Sequence, residues 1–154
     1  MMHMERVVKP SFAVIGREGS TDEGEGFIGR LWAEANARYG EVQALAKADD
    51  NGQPVGFWGA MSDMSRAFHP WEDFSRGLYL AGVEARDDAE APEGWVKWIV
   101  PGYEYLTVRC DAPDTFNQGI NYIKEQGLAL VGAIHDFTDP GTGENYMYFP
   151  IRKL

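Results

Sequence analysis

The spacing of hydrophobic and polar positions changes several times along the chain, which predicts alternating strands and helices. Phe27, Leu31 and Ala35 recur at the spacing of one helix face. The stretches on either side alternate loosely and are rich in β-branched and aromatic residues, as half-buried strands are. The first half therefore predicts strand Val7–Arg17, a helix from Phe27 that ends or bends at Gly40, strand Val55–Met61 and strand Leu78–Glu84.

The second half repeats this order of elements. A long strand over Trp95–Cys110 is interrupted at Pro101, because proline donates no hydrogen bond to a strand ladder. Phe116, Ile120 and Ile123 share a helix face, with Asp114 as a candidate N-cap and Gly127 closing the helix. The last elements are predicted to be a hairpin of Val131–Phe137 and Asn145–Ile151 around the turn Asp139–Gly143.

Short sequence echoes support a duplication. Pro10–Ile15 matches Pro101–Leu106, and Leu78–Val83 matches Tyr146–Ile151. These echoes predict an α+β fold in which tandem duplicated β-α-β-β units build an antiparallel sheet with helices packed against it. We expect residues 1–154 to form a single domain with pseudo-repeats at about 5–86 and 94–154, and a ligand pocket at the junction of the repeats.

Charge and composition exclude several classes of protein. The net charge is −10, with 14 basic and 24 acidic residues, so no basic stripe offers direct nucleic-acid binding. An acidic surface favours cationic small molecules, although acidity also simply maintains solubility. No apolar run reaches the roughly 20 residues of a membrane span. The chain has one cysteine and no apolar leader before Pro10, and we expect a cytoplasmic protein.

The sequence contains no convincing motif for a cofactor or a metal ion. Gly24–Gly29 has the form G-x-G-x-x-G, but Asp22, Glu23 and Glu25 would repel a phosphate there. The histidines and Cys110 lack metal-ligand spacing. We therefore expect neither a cofactor nor a metal.

Three segments carry a resemblance to a known family. They are Leu78-Tyr79-Leu80-Ala81-Gly82-Val83-Glu84, Ile99-Val100-Pro101-Gly102-Tyr103-Glu104-Tyr105, and the closing hairpin from Val131 to Arg152. In this order they resemble the strands of GyrI-like effector-binding domains, and the match spans nearly the whole chain. The resemblance implies two units related by a pseudo-twofold axis with a ligand groove between them, in a stand-alone version without a DNA-binding module.

The same resemblance implies candidate chemistry. The family commonly places an acidic residue, in an apolar-Glu-x-Tyr context, on the penultimate strand, where it meets cationic ligands. Here the segment is Ile134-His135-Asp136-Phe137, so strict register puts His135 at that position and Asp136 one place along. Side chains one residue apart on a strand point to opposite faces, so only one of the two can face the groove. We favour Asp136 for charge. His135 is either a groove residue or a hydrogen-bonded structural histidine.

Aromatic residues make up 13% of the chain and supply the candidate ligand contacts, since flat or cationic ligands stack on such rings. The irregular segment 62–74 is either a lid that supplies Phe68 or Trp71, or a packed surface loop. Each ring has core packing as its alternative role. The other candidates for ligand binding are Trp32, Tyr79, Trp98, Tyr105 and Tyr148, with Glu104 as a candidate charge.

The prediction is a stand-alone protein that binds hydrophobic or cationic aromatic xenobiotics for drug sensing or sequestration, with no membrane partner and no protein partner assigned. The alternative is a hydrolase that opens the cyclopropane ring of DNA-alkylating natural products in the same aromatic cage. It would use His135 or Asp136 for catalysis, as some members of the family imply.

Overall fold

Proline and glycine divide the chain into short strands. The computed structural model describes residues 4–154 and contains two α-helices of 11 residues each and eight strands. The helices are α1 (Phe27–Ala37) and α2 (Thr115–Glu125). The strands are β1 (Met4–Lys9), β2 (Phe12–Ser20), β3 (Phe57–Ser62), β4 (Leu78–Ala85), β5 (Val96–Val100), β6 (Tyr103–Arg109), β7 (His135–Thr138) and β8 (Asn145–Lys153).

All eight strands form one antiparallel sheet in the order β1-β6-β8-β7-β3-β4-β2-β5. The strand order is symmetric about the junction of β7 and β3. This symmetry relates the unit β2-α1-β3-β4 to the unit β6-α2-β7-β8. The predicted α+β fold with tandem β-α-β-β units is therefore confirmed. The two units meet where Trp58 of β3 pairs with Phe137 of β7.

The strands β1 and β5 each cross to the other unit. β1 pairs with β6, and β5 pairs with β2. In a flat sheet the ends of β1 and β2 would be six strand spacings apart, roughly 29 Å, whereas their two-residue connection spans at most about 11 Å. The sheet must therefore curl until its two ends meet. A Cβ added at Gly102 in the β5–β6 connection would lie 3.2 Å from the Ser11 nitrogen in the β1–β2 connection.

The curled sheet has an interior face and a face that carries both helices, called here the helix side. On the helix side, Leu31 and Ala35 of α1 are buried against β2 and β4. Gly119 lets α2 approach β8 closely, because a Cβ there would lie 2.4 Å from the Phe149 ring. Each unit thus buries one helix on the same side of the sheet.

Several predicted boundaries were wrong for identifiable reasons. The predicted strands 7–17 and 95–110 are each two strands, because the connections at Pro10 and Pro101 turn the chain into the other unit. The predicted strand over 131–137 begins only at His135. The hairpin turn over 139–143 is confirmed, with Gly143 N–H donating to Asp139 C=O at 2.7 Å.

Helix ends also differ from the prediction. α1 ends at Ala37, and 3-10 turns rather than an α-helix carry the chain past Gly40. The box formed by Ser20 and Glu23 is present, but it caps the short 3-10 turn between them rather than α1. The Asp114 side chain accepts from the Asn117 side chain at 3.1 Å and accepts no capping hydrogen bond from the backbone of α2, so the predicted N-cap role was wrong. Neither helix described for residues 4–154 is long and apolar enough to span a bilayer.

Candidate functional site

Strand alternation divides the predicted site residues between the two faces of the sheet. One group lies on the interior face: Phe68, Trp98, Tyr105, His135 and Tyr148. The other lies on the helix side: Trp32, Trp71, Tyr79 and Asp136. Glu104 joins neither group, since its carboxylate pairs with Arg152 at 2.9 Å. The structure therefore offers two distinct regions for a ligand.

The interior face is closed by its own aromatic rings. Trp58 lies at its centre, with ring centroids 4.9 Å from Phe12, 4.7 Å from Phe137 and 4.9 Å from Tyr148. Phe68 covers Trp98 edge-on at 5.7 Å. Trp58 is 1% exposed, so this cluster is part of the core as it stands.

The carboxylates of the interior face already have cations. Glu84 is 2% exposed, accepts from Trp58 Nε1 at 3.0 Å and pairs with Lys9 Nζ at 3.1 Å. The same ammonium lies 4.4 Å from the centroid of the Phe12 ring. At the other end, Glu18 accepts from Trp98 Nε1 at 2.8 Å and pairs with Arg66. Each buried or half-buried carboxylate here is therefore neutralised by the chain itself.

His135 is a neutral part of this interior core. Its Nδ1 accepts from the Met61 N–H at 3.0 Å, which assigns the ring proton to Nε2. Complete burial lowers the pKa of His135 to about 3, because desolvation disfavours the imidazolium ion. Its Nε2 and the hydroxyl of the fully buried Tyr105 lack hydrogen-bond partners within residues 4–154.

The helix side contains an apolar groove at the junction of the two units. Its volume is about 120 Å³. Met61 of β3 and Met147 of β8 form part of its floor, and Phe116 of α2 forms a wall. The segment after β3 supplies the opposite wall. The complete lining is Met61, Pro70, Trp71, Phe74, Phe116, Ile134 and Met147.

Two larger surface depressions have linings that suit an aromatic ligand less well than the groove does. One of them, about 1030 Å³, lies between α2 and β6 and is lined mainly by polar and charged side chains such as Gln118 and Glu125. A second, about 820 Å³, lies between α1 and the connector around Glu93. Neither combines aromatic walls with a buried functional group, and for this reason the small groove is the candidate site.

A hydrogen-bonded chain of three side chains adjoins the groove. Trp32 Nε1 of α1 donates to Tyr79 Oη at 2.9 Å, and the Tyr79 hydroxyl donates to Asp136 Oδ2 at 3.0 Å. Gly59 makes the contact possible, because a Cβ there would lie 1.8 Å from Tyr79 Oη. Asp136 pairs with Gly59 on one side and with Met147 on the other, so it lies next to the groove floor.

Asp136 differs from Glu84 and Glu18 in having no basic partner among residues 4–154. The only hydrogen bond that its carboxylate makes within these residues is the one from Tyr79. Burial raises the pKa of the Asp136 carboxyl above its ordinary value, and the Tyr79 hydrogen bond opposes that rise. In the same way, burial beside Asp136 raises the pKa of the Tyr79 hydroxyl, which keeps Tyr79 protonated as a donor.

The segment after β3 carries unusual backbone strain. Among residues 4–154, four non-glycine residues have positive φ, and all lie in this segment: Arg66 at 61°, Phe68 at 61°, Asp73 at 52° and Phe74 at 55°. The Asp63 carboxylate holds the first turn by accepting from the backbone N–H groups of Ala67 and His69. These donors and the neighbouring serine hydroxyls outweigh desolvation and lower the pKa of Asp63 to about 2.

The segment spans both regions of the sheet. Phe68 covers the interior face, whereas Trp71 and Phe74 wall the groove. The Phe74 ring is 49% exposed and lies 5.4 Å from Phe116 of α2. Trp71 Nε1 donates to the Leu78 carbonyl at 2.9 Å.

Sequence reasoning missed several groove residues. Met61, Ile134 and Met147 lie on the same face as Asp136, and strand alternation from Asp136 and Tyr79 would have selected them. Phe74 and Phe116 carry no periodic signal that connects them. The structure shows no group of three or more His, Cys, Asp or Glu side chains placed to hold a metal ion within residues 4–154.

Comparison with known proteins places the fold. No protein-family profile and no curated protein matches the sequence. SAV2435 bound to tetraphenylphosphonium is similar in structure, with a TM-score of 0.66, 15% identity, and coverage of 98% of this chain and 94% of that one. The EcmrR C-terminal domain has a TM-score of 0.67 at 11% identity, covering 100% and 99% of the two chains. A hydrolase from Listeria innocua has a TM-score of 0.54 at 12% identity, covering 96% and 90%.

These similarities extend over the whole chain at low identity, so they establish the fold. The expected resemblance to GyrI-like domains is confirmed at that level. The chain has the fold of SAV2435 and of the EcmrR C-terminal domain, with its two units joined at the β3–β7 junction beneath the groove.

Proposed function

We propose that this protein binds aromatic small molecules, cationic ones in particular, in the helix-side groove, and so senses or sequesters xenobiotics. The observation that carries the proposal is Asp136. It is a half-buried carboxyl beside an aromatic and methionine-lined groove, and within residues 4–154 it lacks the basic partner that Glu84 and Glu18 have. A ligand cation would supply that partner.

The groove lining suits such a ligand. Aromatic walls attract a cation or a flat ring, and methionine side chains adapt to different shapes. SAV2435 shares the fold and was solved with tetraphenylphosphonium, an aromatic cation. That similarity supports the ligand class proposed for the groove.

The groove must widen for a large ligand, because drug-sized ligands occupy roughly 300–1,000 Å³. We assign the opening to the segment 62–74, which acts as a lid through Trp71 and Phe74. Phe74 is half exposed, and its positive φ costs energy that a second conformation would release. Opening the lid would separate Phe74 from Phe116 and leave the sheet intact.

The test is a titration of the purified protein with a panel of aromatic cations, tetraphenylphosphonium among them, followed by tryptophan fluorescence. We expect saturable quenching that falls at least about tenfold in affinity in Asp136→Asn. Asp88→Asn is the matched control, since the Asp88 side chain is 87% exposed and the change in charge is the same. Equal affinities for Asp136→Asn and the parent protein would overturn the proposal.

Hydrolysis of a strained ring is a second candidate, favoured by the raised pKa of Asp136 beside a phenol donor. Such a carboxyl can hold a proton at higher pH than an ordinary aspartic acid and deliver it to a leaving carbon. His135 faces the opposite side of the sheet, so the two candidate catalytic residues would not act on one ligand. Mass spectrometry of a cyclopropane-bearing alkylator incubated with the protein tests this role. A water adduct formed above the buffer rate, and lost in Asp136→Asn, supports it.

A further inference from the structure

We infer that the preferred ligand of the groove is an arylalkylammonium ion, whose ring fills the groove and whose N–H donates to the second oxygen of Asp136. This inference rests on the proposed function and specifies its ligand class. It predicts selection against quaternary onium ions of the same shape.

The hydrogen-bond inventory around Asp136 leads to this choice. Oδ2 is occupied by the Tyr79 hydroxyl at 3.0 Å, whereas Oδ1 receives no donor from residues 4–154. Asp136 is partly buried and its free oxygen is open to a ligand donor, and a charge-assisted N–H···O bond is roughly twice as strong as a neutral one. A quaternary onium ion has no N–H and leaves Oδ1 without a donor.

The indole donors near the site are already committed. Trp32 Nε1 donates to Tyr79 Oη, which in turn keeps the Tyr79 proton directed at Asp136. Trp71 Nε1 donates to the Leu78 carbonyl. Apart from Trp71, the residues that line the groove are apolar, so no side chain of the lining competes with a ligand N–H for Asp136 Oδ1.

The volume of the groove and its distance from Asp136 indicate the shape of the ligand. The groove volume of about 120 Å³ is close to, and slightly below, the roughly 150 Å³ of a dry cavity that holds benzene, so the groove is sized for a single aromatic ring with a small adjustment of its walls. Ile134 lines the ring-sized space and Asp136 lies two residues further along the same face, an offset of about 7 Å. A short alkyl arm between ring and ammonium spans that offset.

An aromatic cage alone would make the opposite selection. Quaternary ammonium ions are weakly hydrated and bind well to rings that surround them. Here the rings of Trp71, Phe74 and Phe116 line the ring-sized space, whereas Tyr79, Gly59 and Met147 surround Asp136. The cation therefore meets a carboxylate rather than an aromatic box, and its N–H groups decide the affinity.

Three matched probes test the inference: 2-phenylethylammonium, (2-phenylethyl)trimethylammonium and 2-phenylethanol. Isothermal titration calorimetry at pH 7.5 should show the primary ammonium binding about tenfold or more tighter than either of the others. In Asp136→Asn the three affinities should agree within about threefold. Asp88→Asn should keep the preference of the parent protein.

The outcomes separate the inference from the proposed function. Equal or tighter binding of the trimethylammonium probe would overturn the inference and leave the groove as an aromatic-cation site. If neither these probes nor larger aromatic cations bind the parent protein, the proposed function itself fails. Tyr79→Phe is a second variant that keeps the Asp136 charge. It should retain the preference for the primary ammonium, and loss of that preference would count against donation to Asp136.

Discussion

The two faces of the sheet use the same kinds of residues in opposite ways. On the interior face, Trp58 and Trp98 donate to Glu84 and Glu18, and Lys9 and Arg66 neutralise those carboxylates. On the helix side, Asp136 has a phenol donor and no cation among residues 4–154. A region that supplies its own counter-charge is complete without a ligand, whereas a carboxyl that lacks one is available to a ligand. This difference is the reason why we propose the groove, rather than the larger aromatic cluster, as the binding region.

The largest expected effect is the loss of stability when a tryptophan of the interior face is removed, compared with one of the groove. Trp58→Ala removes a fully buried indole and should lower the free energy of unfolding by about 3–5 kcal/mol. Trp71→Ala, at the half-buried groove wall, should cost about 1–2 kcal/mol but weaken aromatic-cation binding at least about tenfold. Urea denaturation and fluorescence titration of both variants measure this. Similar stability losses, with binding lost only in Trp58→Ala, would assign the ligand to the interior.

Removing the internal counter-ion tests the claim that the interior face is complete. Lys9→Met leaves the Glu84 carboxylate with the Trp58 donor and the more distant, more exposed Lys47 ammonium, and it should cost about 1–2 kcal/mol, because Lys9 is partly exposed and the pair is not fully desolvated. Lys47→Met is the control, since Lys47 lies 3.9 Å from Glu84 with 54% of its side chain exposed. If Lys9→Met is as stable as the control, Glu84 does not need its cation.

Two tyrosine variants, one on each face, should change the stability of the protein in opposite directions. Tyr105→Phe removes a buried hydroxyl without a partner and should stabilise the protein by up to about 1 kcal/mol. Tyr79→Phe removes a hydroxyl bonded on both sides and should destabilise it by about 1 kcal/mol. Thermal unfolding of the two variants gives both signs. Destabilisation by Tyr105→Phe would mean that this hydroxyl has a partner, such as a buried water.

The pH dependence of stability tests the charge on Asp136. Its pKa in the folded protein is raised, so folding takes up a proton and the stabilising contribution is greatest at low pH. That contribution falls as the pH rises from about 3.9 through the raised pKa. Asp136→Asn should therefore gain stability relative to the parent protein over this interval, by about 1 kcal/mol or less at pH 7.5. If the free energy of unfolding of Asp136→Asn falls relative to that of the parent protein as the pH rises, the result would contradict the raised pKa.

The smallest effect concerns the lid. Phe74→Gly releases roughly 1 kcal/mol of strain at positive φ but increases the entropy of the unfolded chain by a similar amount. The variant also loses the half-exposed ring contact with Phe116, so the net change in stability should be a small loss of about 0.5 kcal/mol. Val131→Gly, at an exposed residue without positive φ, releases no strain and should cost roughly 1 kcal/mol. Stopped-flow fluorescence should show faster ligand association in Phe74→Gly, and an unchanged rate would argue against a lid.

The fold was largely predictable. The hydrophobic periodicity indicates the helices and strands, and the sequence similarity between the two halves indicates the duplication. The helices beginning at Phe27 and near Thr115 and the closing hairpin follow from periodicity and turn residues. The exchange of β1 and β5 between units was not predictable, since strand pairing over long sequence separations leaves no local signal. Pro10 and Pro101 marked the breaks without indicating where the next strand would pair.

The site was predictable only in part. Alternation correctly separated His135 from Asp136 and Tyr105 from Glu104, but it could not place Trp32 and Tyr79 in one hydrogen-bonded chain. That chain depends on the packing of α1 over β4, which brings Trp32 to Tyr79, and on Gly59, which leaves room for the Tyr79 hydroxyl beside Asp136. The sequence equally could not show that Glu84 is neutralised by Lys9 from another strand. The assignment of individual ligand contacts therefore stays a prediction.

The most direct measurement is a crystal structure of the protein with 2-(4-bromophenyl)ethylammonium, in which anomalous scattering locates the bromine. The account predicts the brominated ring between Trp71 and Phe116, with its nitrogen within hydrogen-bond distance of Asp136 Oδ1. Bromine density on the interior face among Trp58, Phe137 and Tyr148, or an ammonium that replaces Lys9 at Glu84, would contradict it.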